Sequence, residues 1–295
     1  MKKFLIIFLL LFCFGCSEKD NSYSFTDDLG NNVSVSSANR VSALTGSFAG
    51  VAKLAELNLV SVTSDAFTER DLGLDSSVIN VGSLKNPSLE QIIASNPDFV
   101  ILSCQIGAHK NIAAALMEMN IAVAFFETES FCGYLNMLNI LTNLSGKKEN
   151  YQKYGLDVLD EIEKIKKKAN ASPKVLLIRA FQTNAYAKDS NNLVGAMLKD
   201  LGCINIADNN DSFLENLSME YIISSDPDYI FVTTMGNDEE ALEFLANGIM
   251  KHEAWKDLSA IKNDHFYVLE KRLFHYKPNE LWGEAYAKLY EYLYQ

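Results

Sequence analysis

Basic residues are scarce in this 295-residue sequence compared with acidic ones. It contains 26 Lys and Arg residues against 38 Asp and Glu residues, which gives a formal net charge of -12. Proteins that bind nucleic acid need clustered Lys and Arg to neutralise phosphates. We therefore exclude a nucleic-acid partner. The length leaves room for two domains with separate cores.

Cysteine and histidine are also few. Beyond the first sixteen residues the cysteines are Cys104, Cys132 and Cys203, whose wide spacing fits neither a disulfide framework nor a Cys-x-x-Cys metal site. The 4 histidines form no His-rich stretch, so a binder of bare zinc or manganese ranks well below other readings. We predict buried free thiols, no resident cofactor and no directly bound metal.

Signatures of common enzyme classes are missing too. Residues 46–53 lack the spacing of a phosphate-binding loop, and no Gly-x-Ser-x-Gly elbow occurs. His252-Glu253 is followed by Ala-Trp-Lys, so the second histidine of a zinc-protease helix is missing. We therefore expect no enzyme. An enzyme stays the second hypothesis because catalytic groups can lie far apart in sequence.

No run of apolar residues is long enough to span a membrane. Residues 4–14 form an apolar run that follows Lys2 and Lys3 and ends at Gly15-Cys16, which resembles a bacterial lipoprotein signal. We expect a signal peptide at residues 1–15, lipid on Cys16 and a tether at residues 16–24. Such a chain would be anchored outside the cytoplasm, at the outer face of the cytoplasmic membrane or in the periplasm. The alternative is an ordinary secretory signal or a membrane anchor.

One segment of the sequence occurs twice. Residues 89–102 recur at residues 219–232, with Glu, Ile-Ile, Ser and Pro-Asp at matching positions. Each copy is typical of a short amphipathic helix that stops before proline, followed by an apolar strand. An apolar strand fits a parallel sheet that is covered on both faces. The duplication therefore predicts two similar α/β lobes.

Strand and helix patterns alternate through most of the chain, which predicts two Rossmann-like lobes with mainly parallel sheets. The alternation breaks near residues 146–170, where apolar residues at helical spacing face away from a charged side. A helix over residues 147–169 would be about 34 Å long. We predict a first lobe at residues 25–145, an interlobe helix at 146–170 and a second lobe at 171–295.

Several segments resemble, in order, the substrate-binding lipoproteins of ABC importers for ferric siderophores, haem and vitamin B12. They are TDDLGNNVSV, RVSAL, INVGSLKNPSLEQIIASNPDFVIL, MEYIISSDPDYIFV, WKDLSAIKNDHFYVL and PNELWGEAYAKLYEYLY. The resemblance implies two α/β lobes bridged by one long helix, with the ligand in the cleft between them. It also implies that Glu90 and Glu220 pair with arginines of a membrane permease. The alternative is that both are carboxylates favoured by helix dipoles. We expect a monomer.

Ligand contacts are expected beyond the carboxyl ends of the strands, where open parallel sheets bind their ligands. The loops there mix aromatic side chains with isolated charges, which suits a ferric siderophore or haem and, as an alternative, a corrinoid. The candidate residues are Thr45, Phe48, Ser64, Asp65, Phe67, Lys85, Gln105, Arg179, Phe181, Thr183, Met235, His275, Tyr276 and Lys277.

Some of these candidates have two interpretations. Arg179 follows an apolar strand and could hold a ligand carboxylate or form an ion pair between the lobes. His275 or Tyr276 could ligate haem iron or belong to a structural aromatic loop. Lys85 and Lys277 could add positive charge to the cleft or simply be solvated.

Overall fold

The computed structural model describes residues 22–295. The predicted signal peptide, the lipidation residue Cys16 and most of the predicted tether lie outside the described residues. Within residues 22–295, no helix combines the length and apolar character needed to cross a membrane.

The first lobe is an α/β unit with a five-stranded parallel sheet in the order β5-β4-β3-β8-β9. In chain order its elements are β1 (Tyr23–Thr26), β2 (Asn32–Val35), β3 (Val41–Ala43), α1 (Gly46–Leu54), β4 (Leu59–Val62), α2 (Asp65–Thr68), β5 (Ile79–Asn80), β6 (Gly82–Ser83), β7 (Asn86–Pro87), α3 (Leu89–Ala94), β8 (Phe99–Ser103), α4 (Gly107–Glu118), β9 (Ala122–Phe126) and α5 (Phe131–Ser145). The sheet is parallel because helices return the chain between its strands.

A continuous helical run joins the lobes. Its parts are α6 (Lys148–Tyr151), a π-helical turn (Gln152–Leu156) and α7 (Asp157–Lys166). At 1.5 Å per residue the run is about 28 Å long, shorter than predicted because the chain leaves the helix after Lys166. The π turn was not predicted. The Tyr134 hydroxyl donates to the Tyr154 carbonyl at 2.8 Å, and Gly155 packs against the Leu135 side chain.

The second lobe carries a mixed five-stranded sheet in the order β11-β10-β13-β14, with β12 also paired to β10. Its elements are β10 (Lys174–Ala180), β11 (Ala185–Lys188), α8 (Leu193–Asp200), β12 (Ile204–Asn205), α9 (Asp211–Glu215), α10 (Met219–Ser225), β13 (Tyr229–Thr234), α11 (Asp238–Asn247), α12 (Ser259–Lys262), β14 (Phe266–Val268), α13 (Lys271–Phe274) and α14 (Trp282–Tyr294), with 3-10 turns at Ile249–Lys251, Glu253–Asp257 and Asn279–Leu281.

The prediction that Arg179 follows the apolar strand is wrong. Arg179 and Ala180 extend β10, and the antiparallel edge strand β11 returns beside them, with Arg179 opposite Tyr186. A tight turn joins the two strands, since the Phe181 amide donates to the Asn184 carbonyl at 2.8 Å. The mixed sequence of β11 lacks a clear period-two pattern, which is why the strand escaped prediction.

The duplicated segments form the same substructure in both lobes. Ser88 and Ser218 cap α3 and α10 by accepting hydrogen bonds from backbone amides three residues on. The aspartates of the Pro-Asp pairs then bind the neighbouring strand. Asp98 accepts from the Arg40 amide at 2.9 Å, and Asp228 accepts from the Lys174 amide at 2.7 Å.

One apolar cluster runs through both lobes. It includes Phe126 of the first lobe, Ile162 of the interlobe helix and Phe231 of the second lobe. The last helix, α14, contributes Trp282, whose ring centroid lies 5.7 Å from that of Phe131. This shared cluster, added to the interlobe helix, holds the lobes in a fixed arrangement.

Candidate functional site

A cavity of about 420 Å3 lies between the lobes, where strands of both sheets end. We call it the cleft, and its volume is typical of small-molecule sites. The first lobe contributes Thr45, Ser47, Phe48, Asp65, Glu69, Arg70, Leu84, Lys85, Ser103, Gln105, Ile106, Glu127, Thr128 and Glu129, and the second contributes Arg179, Leu193, Met235, His275, Tyr276 and Lys277.

Most of the candidate contact residues line the cleft. They are Thr45, Phe48, Asp65, Lys85, Gln105, Arg179, Met235, His275, Tyr276 and Lys277. Ser64 and Phe67, at the start and in the middle of the short helix α2, do not line it, and Phe67 is exposed to solvent. Phe181 and Thr183 lie in the β10–β11 turn, where Phe181 packs edge-on against Tyr186. Neither Phe181 nor Thr183 lines the cleft.

Close contacts between α1 and α2 shape the first-lobe wall. The Thr45 hydroxyl caps α1 by accepting from the Phe48 amide at 3.1 Å, and one Asp65 carboxylate oxygen accepts from the Gly46 amide at 2.6 Å. A Cβ at Gly46 would lie 2.8 Å from the Ala66 nitrogen, so no larger residue fits there. The second Asp65 oxygen is buried and has no hydrogen-bond partner among residues 22–295.

Arg179 is the cation of the second-lobe wall that forms no salt bridge within residues 22–295. It lies near the end of β10 and is partly buried, and its Nε finds no hydrogen-bond partner within residues 22–295. Burial lowers the pKa of Arg179, whereas Glu129 acts in the opposite direction. Because a buried polar group without a partner is unfavourable, an acidic ligand group at this position would be stabilising.

Residues 275–281, which we call the crossing segment, reach from the second lobe to the first. Arg70 Nη2 donates to the Lys277 carbonyl at 2.6 Å, and Asn279 Nδ2 donates to the Ser47 carbonyl at 2.9 Å. The Lys277 ammonium pairs with Glu129. Burial lowers the pKa of Lys277, and Glu129 opposes that shift. The crossing segment therefore ties the two walls of the cleft together.

His275 is neutral at physiological pH. Burial, followed by the nearby cations Arg179, Lys271 and Lys277, lowers its pKa from 6.5 to about 4. Its ring centroid lies 5.0 Å from that of Tyr276. Neutral imidazole is the form that can ligate a metal or accept a hydrogen bond.

Arg70 and Glu69 line the cleft but were not predicted as site residues. Burial lowers the pKa of Arg70 to about 10, so its guanidinium stays charged at neutral pH. Burial, then Asp65, raises the pKa of Glu69. Glu69 and Arg70 directly follow the short helix α2. No local sequence pattern predicts that the Arg70 side chain lines the cleft, because its hydrogen-bond partner, the Lys277 carbonyl, lies 207 residues away in the sequence.

A second cavity, of about 530 Å3, lies behind the cleft between α1, the start of the interlobe helix and the crossing segment. It shares Glu69, Arg70 and Tyr276 with the cleft. Although it is larger, we assign the ligand to the cleft, because only the cleft lies where the strands of both sheets end.

Within residues 22–295, no three or more His, Cys, Asp or Glu side chains lie close enough together to ligate one metal ion. His109 has a structural role in the first lobe. Its Nδ1 accepts from the Ser103 amide at 2.9 Å, which leaves Nε2 to donate to the Leu84 carbonyl at 3.0 Å.

The sequence matches a known protein family and several known proteins. The model of the family described as periplasmic binding protein matches residues 41–273. The chain is 25% identical over 304 residues to YhfQ of Bacillus subtilis, whose name gives a substrate-binding lipoprotein of an ABC transporter, with 93% of this chain and 92% of that protein covered. It is 22% identical over 221 residues to the high-affinity haem uptake system protein IsdE of Staphylococcus aureus strain MRSA252, with 74% and 75% covered.

Solved structures share the fold. S. aureus IsdE complexed with haem superposes with a TM-score of 0.71 at 22% identity, covering 87% of this chain and 99% of that chain. S. aureus SirA complexed with staphyloferrin B superposes with a TM-score of 0.70 at 18% identity, covering 92% and 98%. These likenesses confirm the predicted two-lobed α/β fold. The names of YhfQ and IsdE describe transport and uptake proteins. The chain belongs to the periplasmic binding protein family.

Proposed function

We propose that this protein is the extracytoplasmic substrate-binding component of an ABC importer and that it captures an acidic iron complex, a ferric siderophore or haem, in the cleft. Family membership supports ligand capture between two lobes. The relatives IsdE and SirA, named or solved with haem and staphyloferrin B, support the class of ligand.

The observation that carries this proposal is Arg179. Its guanidinium lies in the cleft at the end of a parallel strand, without a hydrogen-bond partner for Nε among residues 22–295. A planar guanidinium matches a carboxylate or another chelating oxygen pair in a bidentate geometry. Phe48, Ile106 and Met235 add apolar surface around it, as a partly apolar chelate requires.

The proposal is tested with a soluble form, residues 17–295, titrated with a carboxylate-bearing ferric siderophore, haem, cyanocobalamin and zinc chloride. We expect saturable, stoichiometric binding of one or both iron complexes in calorimetry and visible absorbance. Stoichiometric binding of zinc alone would support a bare-metal binder. Binding of the corrinoid alone would favour that alternative of the same family. Catalytic conversion of any of these four compounds would show that the protein is an enzyme and not a binding protein.

Haem with direct iron ligation is the second candidate, because burial and nearby cations keep His275 in the neutral form that ligates iron. Tyr276 lies beside it in the cleft. The Soret band of the haem complex should shift in His275→Ala if His275 is the ligand, and in Tyr276→Phe if Tyr276 is. An unchanged band in both variants rules out ligation by this pair.

Glu90 and Glu220 are proposed as permease contacts. Each is exposed in the first turn of its helix, α3 or α10, and neither forms a salt bridge within residues 22–295. Helices that precede parallel strands begin at the edge where those strands end, so both carboxylates lie toward the edge of each lobe that carries the cleft. Exposed charge pairs orient partners more than they add affinity.

Uptake should fall in Glu90→Arg and Glu220→Arg while ligand binding is retained, and normal uptake by both variants would exclude this role.

Lipidation of Cys16 remains part of the proposal, supported by the leader sequence. The Cys16→Ala variant should then leave the membrane fraction. A mature wild-type protein whose mass shows no acyl chains would exclude the lipid anchor.

A further inference from the structure

The charges of the cleft are divided unevenly between the lobes. The first-lobe wall carries Asp65, Glu69, Glu127 and Glu129 against Arg70 and Lys85. The second-lobe wall carries Arg179 and Lys277, with neutral His275 and no acidic residue among the lining residues. One wall is therefore net negative and the other net positive.

Ion pairs within the cleft remove part of this charge. Lys277 pairs with Glu129 across the lobes, and Arg70 is close enough to Asp65 and Glu69 for both to raise its pKa against the effect of burial. The Glu127 carboxylate accepts only from Gln105 Nε2, at 3.1 Å, within the described residues.

Groups of opposite sign on the two walls then remain for a ligand. Arg179 is left on the second-lobe wall, with its Nε unpartnered. Glu127 and the orphaned oxygen of Asp65 are left on the first-lobe wall. Lys85 and Glu127 are both exposed to solvent, so the charges of both are partly screened.

A ligand with charge of one sign satisfies only one wall. Haem or a polycarboxylate chelate would bind Arg179 but would face like charge at Glu127 and Asp65, and like charges across an interface are destabilising. A purely cationic complex would leave Arg179 unpaired. A complex that carries both signs matches both walls, because buried charges are tolerated when they are paired.

We propose, on the basis of the proposed function, that the cleft selects iron complexes of mixed charge. An anionic oxygen group of the ligand binds Arg179, and a protonated amine of the same ligand binds Glu127 and Asp65. In this arrangement Glu127 is a specificity-determining residue, and the ligand class is an amine-bearing ferric siderophore with free carboxylate.

The test uses ferric trihydroxamate complexes built on one chelating core, which carry no charged substituent, one carboxylate, one primary amine, or one of each. We expect the mixed complex to bind the wild-type protein most tightly, with the amine strengthening binding by roughly three- to tenfold over its amine-free counterpart. Glu127→Gln should abolish that gain, whereas Glu118→Gln, an exposed acid outside the cleft, should keep it.

Asp65→Asn tests the same effect of the amine at the second carboxylate. Glu127→Gln is the variant less expected to disturb the fold, because the Glu127 side chain is exposed whereas Asp65 also accepts a hydrogen bond from the Gly46 amide. Tighter binding of the carboxylate-only complex than of the mixed one, or an amine gain that survives in Glu127→Gln, overturns the inference while leaving the proposed function intact. Failure of every ferric complex and of haem to bind overturns the proposed function itself.

Discussion

His275 lies in the cleft among three cations, and its protonation is coupled to folding. Burial, then Arg179, Lys271 and Lys277, lower its pKa to about 4, while Asp238 acts in the opposite direction. In the unfolded chain a histidine titrates near pH 6.5. Between pH 4 and 6.5 the unfolded state therefore binds more protons, so the free energy of unfolding falls as the pH is lowered through this window.

The first prediction follows from this linkage. Removing the titrating group in His275→Gln should lessen the loss of stability between pH 6.5 and 4.5 by about 2 kcal/mol relative to the wild-type protein. Urea unfolding at a series of pH values measures the difference. His252→Gln, which alters an exposed histidine outside the cleft, is the control. Parallel stability curves for wild type and His275→Gln would contradict the burial of His275 as a neutral group.

The loop between β9 and α5 positions Glu127 and Glu129, and its shape depends on one glycine of α5. A Cβ at Gly133 would lie 2.3 Å from the Glu127 carbonyl oxygen. Replacing glycine with alanine inside a helix normally stabilises the helix by about 1 kcal/mol. Here the clash is with backbone, which cannot move aside without displacing the loop.

We therefore expect Gly133→Ala to lose about 1–3 kcal/mol of stability and to weaken ligand binding. Chemical unfolding and a ligand titration measure the two effects. Gly107→Ala is a matched control, because nothing lies within 4 Å of a Cβ at Gly107 in α4, and it should be neutral or slightly stabilising. Equal stability of the two variants would show that the loop is not held against α5.

The equivalent aspartates of the two copies of the duplicated segment, Asp98 and Asp228, should contribute differently to the stability of the protein. The Asp98 carboxylate accepts from Ser37 and from the Asn39 and Arg40 amides, whereas Asp228 accepts from the Lys174 amide alone within residues 22–295. Asp98→Ala should thus lose about 2–4 kcal/mol and Asp228→Ala about 1–2 kcal/mol. The two free energies of unfolding, measured side by side, check the order. The reverse order would contradict the hydrogen bonding described here.

Local patterns were sufficient to predict most elements of the fold. The apolar run that ends the first copy of the duplicated segment predicted β8, and the helical spacing of residues 146–170 predicted the helix that runs from Lys148 to Lys166. The π turn and strand β11 were missed, since they depend on contacts made elsewhere, such as Tyr134 with Tyr154. Met235, which directly follows β13, could be assigned to the cleft because parallel strand ends share one edge of a sheet. The same rule failed for Phe181, which enters the turn to the antiparallel strand β11. Arg70 could not be assigned to the cleft, since its orientation is set by Lys277.

At the scale of the whole protein, several links resist relative motion of the lobes. The apolar cluster is continuous from Phe126 to Phe231. The last helix, α14, bonds the second lobe through Tyr286 to Asp200, at 2.8 Å, and contacts Phe131 of the first lobe through Trp282. The crossing segment adds Asn279 to Ser47. A wide hinge motion would have to break these contacts together.

We therefore expect ligand binding to change the shape of the protein little, with backbone shifts of about 1 Å or less. Small-angle X-ray scattering of the free and saturated protein measures this, and the two curves should superpose within error. A compaction as large as that of hinge-closing binding proteins would contradict the rigid arrangement.

We expect Arg179 to anchor an acidic iron complex in the cleft. The most direct measurement is the Kd of a carboxylate-bearing ferric siderophore for the wild-type protein, for Arg179→Met and for Lys199→Met, which removes an exposed cation outside the cleft. We predict that Arg179→Met weakens binding by roughly tenfold or more, because a charge-assisted bidentate contact is lost, and that Lys199→Met leaves the Kd unchanged. An unchanged Kd for Arg179→Met would contradict the account.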